Sequence, residues 1–187
     1  MTRITYYAAS SVDGFISKTD GDVSWLDKYM ETGEDYGFAT FAQSIQAILM
    51  GRTTYEKSLQ FETWAAGETP CWVFSSQLTY STIPTVKLTA SSPEEVVEEL
   101  TNLNVERAWL MGGGKLAASF FAANLIDEYD LAILPELLGT GIPLIQPIDA
   151  YAALDLVDHT AHPSGVVQLK YRVERSANPA RKDSDQI

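Results

Sequence analysis

Three short segments of this 187-residue chain carry residue types suited to gripping an anion, and each follows an apolar, strand-like run. The first is Gly112-Gly113-Gly114, preceded by Ala108-Trp109-Leu110-Met111 and followed by Lys115 and Leu116. Strand, glycine turn and helix in that order point backbone N–H groups at an anion, and the missing Cβ atoms let a diphosphate reach the main chain. The turn is neither a G-x-G-x-x-G fingerprint, since Ala117 stands where its last glycine would be, nor a Walker A loop, since Leu116 replaces Ser/Thr. Taken alone it also suits tight helix–sheet packing. The second segment is Met50-Gly51-Arg52-Thr53-Thr54-Tyr55-Glu56. A cation at a helix start opposes the macrodipole, so Arg52 is better placed there if it shares the site with an anion that it can grip in bidentate fashion. A surface arginine beside a threonine cap is the alternative. The third is Phe74-Ser75-Ser76, whose hydroxyls bind phosphate or cap a turn. Ligands of open α/β sheets bind beyond the carboxyl ends of strands, and all three segments lie there.

Other chemistry is poorly supplied. Cys71 is the only cysteine, which excludes an intramolecular disulfide and a cysteine-based zinc cluster; in its apolar run it reads as a core residue. His159 and His162 are three apart, but Pro163 follows and no metal role is expected. The net charge of -12 argues against nucleic acid or an anionic membrane as partner. It also means that an anionic cofactor needs a locally positive pocket. No apolar run reaches membrane-spanning length, and Thr2-Arg3 leads directly into Ile4-Thr5-Tyr6-Tyr7, so a cytoplasmic protein is expected.

The elements that must hold these segments follow from periodicity and punctuation. Strands are expected at residues 4–10, 47–50, 71–75, 85–89, 107–111 and 129–134, with a closing antiparallel pair near 154–160 and 166–174. Helices are expected at 36–44, 53–59, 92–103 and 115–123. Ser92-Pro93-Glu94-Glu95 is a strong helix start, with a capping serine, proline at the first helical position and a capping-box glutamate. Asp13-Gly14 marks a turn before a short extended piece at Phe15-Ile16. The alternation predicts one α/β domain over residues 1–175, with a central, mostly parallel sheet, an antiparallel carboxyl-terminal edge and helices on both faces. Residues 176–187 are expected to form a flexible polar tail.

In order and spacing over residues 3–174, the chain resembles the dihydrofolate reductase superfamily, in the branch of the reductase domain of the bifunctional riboflavin-biosynthesis deaminase–reductase. The matching pieces are Ala8-Ala9-Ser10-Ser11-Val12-Asp13-Gly14-Phe15-Ile16, Trp25, Ile48 through Glu56, Phe74-Ser75-Ser76, Met111 through Gly114, Leu125-Ile126-Asp127-Glu128 and Pro135-Glu136-Leu137-Leu138-Gly139-Thr140-Gly141. The resemblance implies a dihydrofolate-reductase-like three-layer fold that binds NADPH. Gly112, Gly113 and Gly114, with Lys115 and Leu116, would hold the pyrophosphate. Arg52 and Thr53, with Ser75 and Ser76, would surround the adenosine end and its 2′-phosphate, and Gly51, Thr54 and Met111 would also contact the cofactor. Ile16 would cover the nicotinamide. Tyr7, Trp25, Asp35 and Ala39 would line the substrate pocket, with Trp25 closing it. Counting back from Gly51 puts Asp35 where dihydrofolate reductases carry their pocket carboxylate. Hydride delivery to a C=N bond needs a proton at nitrogen, and an apolar pocket would raise the aspartate toward a useful range. From the residues alone, Asp35 is equally a cap for the helix that follows.

Two departures bear on the substrate. Thr69 stands where folate enzymes carry the arginine for the folate tail, and Ala39 is small where they carry a bulky side chain. The H-x-E and P-C-x-x-C motifs of a zinc deaminase are absent. The implied activity is an NADPH-dependent reduction of a pteridine- or aminopyrimidine-like heterocycle, such as 5-amino-6-(5-phosphoribosylamino)uracil or a relative, by direct hydride transfer. A weak dihydrofolate reductase and a non-catalytic NADPH-binding sensor are the rivals. The partner is a small heterocycle, no metal is implied, and relatives of this kind are often homodimers.

Overall fold

Every second residue of the central strands belongs to a different core, and this splits the molecule into three layers. Leu49 packs on one side of the sheet with Val96, Val97, Leu100, Leu116, Ala117 and Phe120. Its neighbours Ile48 and Met50 pack on the other side with Phe41, Tyr55 and Val73. Such alternation is what a strand covered on both faces requires. The structure is a computed structural model that describes residues 1–61, 64 and 66–174; the tail expected at 176–187 lies outside the described residues.

The chain runs β1 (Arg3–Ser11), β2 (Phe15–Ser17), a 3-10 turn (Ser24–Leu26), α1 (Asp27–Met30), α2 (Phe38–Gln43), β3 (Ala47–Gly51), α3 (Arg52–Ser58), β4 (Cys71–Phe74), β5 (Val86–Thr89) and α4 (Pro93–Asn102). It continues through β6 (Arg107–Gly112), α5 (Gly114–Ala122), β7 (Glu128–Leu134), β8 (Ile142–Pro143), β9 (Leu154–Ala161) and β10 (Val167–Val173). The main sheet has the order β5-β4-β3-β6-β1-β7-β10-β9. The first six strands are mutually parallel. β10 runs antiparallel to both β7 and β9, giving the antiparallel edge expected from the sequence. The capping box of α4 forms as read: Ser92 accepts from the Glu95 N–H, and Glu95 accepts from the Ser92 N–H.

Some details differ from the sequence reading. The helix expected from Tyr36 begins at Phe38, because Tyr36 (φ 52) and Gly37 (φ 75) both sit in the left-handed region, where no right-handed helix can start. Two short elements, the 3-10 turn and α1, occupy a stretch for which no element was expected. β2 pairs with β8 in a separate two-stranded ribbon that periodicity did not reveal, since each strand is three residues or fewer. The glycine turn is tighter than expected, with Gly112 ending β6 and Gly114 already in α5.

The topology contains a switch point. β3 leads through α3 to β4 on one side, while the adjacent β6 leads through α5 to β7 on the other. The connections diverge between β3 and β6, and such a switch point opens a cleft beyond the strand ends.

Candidate active site

Both helices that leave the crevice begin at a glycine. Gly51 is the N-cap of α3 and Gly113 that of α5, and neither has a side-chain cap, whereas α4, which starts elsewhere, is closed by its capping box. The first N–H groups of the nine-residue α5 are therefore left for an outside acceptor. The surrounding residues are close. A Cβ added at Gly51 would lie 3.8 Å from the Gly112 carbonyl oxygen and 3.9 Å from Leu116 Cβ. One added at Gly113 would lie 3.6 Å from both Ile16 Cδ1 and Thr54 Oγ1. Six residues read from the sequence as cofactor contacts, Ile16, Gly51, Thr54, Gly112, Gly113 and Leu116, thus converge. Gly112 has φ +100, which favours glycine, and the Gly112–Gly113 peptide is cis.

A strap keeps this arrangement closed. Gly114 lies directly beneath the Pro143 carbonyl, where no side chain fits. The Tyr6 hydroxyl donates to the Leu144 carbonyl (2.6 Å), the Leu144 N–H to Gly14 (2.8 Å) and the Gln146 N–H to Gly114 (3.1 Å). The Asp13 carboxylate accepts the N–H groups of Leu138 and Gly139, at 3.1 and 2.7 Å. The hydrogen bond from the Ser11 hydroxyl, and then these two, hold the Asp13 carboxyl below its ordinary range. The segment from Pro135 to Gly141 thereby fixes the loop that carries Ile16.

The residues read as the adenosine end lie on adjacent strand ends, since Gly51 pairs with Phe74 and is followed by Arg52, while Phe74 is followed by Ser75. Arg52 donates to both carboxylate oxygens of Glu56 at 2.9 Å. The Ser75 hydroxyl accepts the N–H groups of Gln77 and Leu78, so it caps a turn. Thr53, Ser76 and Lys115 are exposed, and Met111 packs partly buried against the Met50 core.

The residues read from the sequence as the substrate side lie toward the α2 face of the sheet. Ala9 and Ala132 are register partners on β1 and β7 and form a small-residue floor. Trp25 and Tyr36 pack against Ala132, Leu134, Tyr29 and Val166 beside it. Trp25 Nε1 is buried without a hydrogen-bond partner among the described residues. Two positions along β1 from Ala9, Tyr7 stacks on Phe41 (4.3 Å between ring centroids) and meets Trp109 edge-on. Asp35 departs from its expected setting. It is exposed, not in an apolar pocket, and its two oxygens accept the N–H groups of Gly37 (3.0 Å) and Ala39 (3.2 Å). Ala39 is exposed as well, on the first turn of α2.

Sequence reasoning passed over Asp130 and Gln168. Asp130 is only 6% exposed, stands in register with Tyr7 and accepts a 2.7 Å hydrogen bond from Gln168 Nε2. Burial raises its carboxyl above the ordinary range. The visible sign was a lone carboxylate inside the apolar run from Tyr129 to Leu134.

Residues 2–168 match the family model for the RibD C-terminal domain. The chain belongs to that family. The Bacillus subtilis protein YwjB is 30% identical over 170 residues, spanning 90% of this chain and 97% of YwjB. A solved structure from Shewanella sp. PV-4, linked to riboflavin biosynthesis, superposes with a TM-score of 0.84 at 24% identity, covering 94% of this chain and all of that one. A Thermotoga maritima structure, diaminohydroxyphosphoribosylaminopyrimidine deaminase/5-amino-6-(5-phosphoribosylamino)uracil reductase, gives 0.69 at 15% identity, covering 92% of this chain and 56% of that larger one. These structural likenesses show the fold. Among the described residues no three potential metal ligands cluster, and no helix is long and apolar enough to cross a membrane.

Proposed function

We propose that this member of the RibD C-terminal domain family is an NADPH-dependent reductase of a pteridine- or aminopyrimidine-like heterocycle. The observation that carries the reading is the uncapped, glycine-started N-terminus of α5, which opens into the switch-point crevice beside Ile16, Gly51 and Thr54. The residues fit a dinucleotide. Backbone N–H groups from Gly113 to Leu116 would hold the pyrophosphate, and the helix start favours its charge. Arg52, Thr53, Ser75 and Ser76 would take the adenosine end. For Arg52 this means sharing its guanidinium between Glu56 and a 2′-phosphate. Lys115, exposed in the first turn of α5, adds the positive charge that a protein of net charge -12 must supply locally.

The bound cofactor would supply a hydride. The chain's own residues do the rest. Ile16 is held over Gly113 by the strap and excludes water from that end of the site. Ala9 and Ala132 leave room for a flat ring, and Trp25 and Tyr36 border it. A proton must reach the reduced nitrogen, and Asp35, or a water ordered by it, stands at the mouth to deliver one. Because both Asp35 oxygens already cap α2, this role requires the carboxylate to serve cap and substrate in turn.

The test is NADPH oxidation with deaminated riboflavin-precursor aminouracils and with dihydrofolate, comparing wild type and Asp35→Asn. Turnover of an aminouracil with weak or no dihydrofolate reduction is expected, because the folate-tail arginine is replaced by Thr69. Tight NADPH binding without oxidation of either class would leave a binding protein, not an enzyme. Unchanged turnover in Asp35→Asn would remove Asp35 from the chemistry.

A further inference from the structure

We infer that the Tyr7 hydroxyl is the donor that reads an oxo group on the substrate heterocycle, and that Asp130 and Gln168 act through it as positioning residues. The inference rests on the function proposed above and names the chemistry of its substrate end. Its starting point is a hydroxyl that is fixed yet poorly used. The Tyr7 ring is clamped between the Phe41 stack and the Trp109 edge, and Trp109 Nε1 donates to the Tyr7 carbonyl at 3.0 Å. Neither ring nor backbone can swing. The only acceptor of its hydroxyl among the described residues is the Tyr36 carbonyl at 3.5 Å, the outer limit of a hydrogen bond. A half-buried donor so weakly paired gains most from a better acceptor.

The surroundings keep it a donor. Burial first, then Asp130 and then Asp35, push the Tyr7 phenol well above its ordinary range, so it never presents a phenolate. Asp130, its register partner, is itself held by Gln168 (2.7 Å). The Gln168 amide also reaches Gly37 at the start of α2, 3.7 Å from where a Cβ would stand there. Lys170 Nζ lies 3.9 Å from Asp130, and Arg107 and Glu128 act on it from further away. Three elements, β7, β10 and the entry to α2, therefore brace the space behind one hydroxyl.

Position supplies the rest. Tyr7, Ala9 and Ser11 alternate along one face of β1. Ser11 Oγ accepts the N–H of Phe15, next to Ile16 at the cofactor crevice. The hydroxyl thus borders the Ala9–Ala132 floor at the end away from the crevice. A neutral phenol both donates and accepts, but the Tyr7 proton has only the 3.5 Å Tyr36 carbonyl, so a ring carbonyl that takes that proton gains more than an exocyclic amine, which leaves it where it is.

The experiment uses two flat probes that differ at one substituent, pterin (4-oxo) and 2,4-diaminopteridine (4-amino), near neutral pH where both are uncharged. NADP+ binding to the full chain is measured first, and then probe binding at saturating NADP+, for wild type, Tyr7→Phe and Asp130→Asn. Tyr7→Phe keeps the ring and its stack, so the fold is retained; near-UV circular dichroism checks this. Wild type should prefer pterin, and Tyr7→Phe should weaken pterin about tenfold, the scale of one well-made hydrogen bond, while leaving the diamino probe unchanged. Asp130→Asn should lose part of the same preference without losing NADP+ affinity. Equal weakening of both probes, or unchanged pterin binding in Tyr7→Phe, overturns the inference. So does a wild type that binds NADP+ and neither probe. A wild type that fails to bind NADP+ overturns the proposed function itself.

Discussion

Gly114 offers a direct measure of how tightly the strap is built. Alanine there gains helix propensity, worth about 1 kcal/mol over glycine. Nothing in the helix itself forbids it. The obstacle is the Pro143 carbonyl, which the new methyl would strike, and it is backbone that cannot rotate aside. For the strap to retreat, the 2.6 Å Tyr6–Leu144 bond and the 3.1 Å Gln146–Gly114 bond must lengthen. Overpacking of this kind costs about 1–3 kcal/mol, and each weakened hydrogen bond about 0.5–1.5 kcal/mol. Set against the propensity gain, Gly114→Ala should destabilise by roughly 1–5 kcal/mol, which for a domain of this size lowers Tm by roughly 2–20 °C. Urea unfolding followed by tryptophan fluorescence reads the loss. NADPH titration of the folded fraction should show weaker binding, because the start of α5 moves with the strap. If Gly114→Ala is as stable as wild type or more so, helix propensity has won and the strap is loose, contrary to the packing described.

Other outcomes follow from single residues. Arg52→Ala should weaken NADPH about tenfold and NADH by roughly twofold or less, since a charge-assisted contact to the 2′-phosphate is lost only for NADPH; equal losses in fluorescence titration would show the adenosine end to be placed wrongly. Asp130 carries a carboxyl raised by burial, so the folded state holds its proton to higher pH than the unfolded chain does. Its contribution is most favourable below the ordinary aspartate range, about pH 3.9, and declines as pH rises through the raised value. Relative to Asp130→Asn, wild type should therefore lose stability between about pH 4 and the raised value; a relative gain in the urea midpoint over that window would refute the assignment. Cys71 is fully buried and its thiol is pushed up to about 12, so an aromatic disulfide reagent should label it at neutral pH only after denaturation; rapid labelling of native protein would contradict its burial.

The crevice was legible in the sequence because its parts are local. Gly51 closes β3 and caps α3, Gly112 closes β6 and Gly113 caps α5, and the spacing of such junctions survives in one dimension. The substrate side was less legible because it is assembled across strands. The pairing of Tyr7 with Asp130, and of Asp130 with Gln168, depends on the order β1-β7-β10, which no local period reveals. Asp35 shows the opposite difficulty. Counting residues put it where the resemblance implies a pocket carboxylate, but its exposure follows from the left-handed pair Tyr36 and Gly37, which turns the backbone before α2 begins. The two-stranded ribbon was missed for another reason: strands of three and two residues are held by Gly14, Gly114 and Tyr6, not by alternation of their own.

The two halves of the site stand on different supports, and this has a consequence for variation within the fold. The cofactor crevice is made of main chain: glycine N–H groups, a strap bonded through carbonyls, and Ile16 set by a turn. At Gly114 a side chain would strike the Pro143 carbonyl. The substrate floor is made of side chains on rigid strands, where Ala9, Ala132, Tyr7 and Asp130 can be exchanged while the ladder stays paired. Under the function proposed above, cofactor affinity and substrate choice are then separable. Substitutions at Tyr7, Asp130 and Gln168 should redirect the heterocycle and leave NADPH in place, and substitutions around Gly113 should do the reverse.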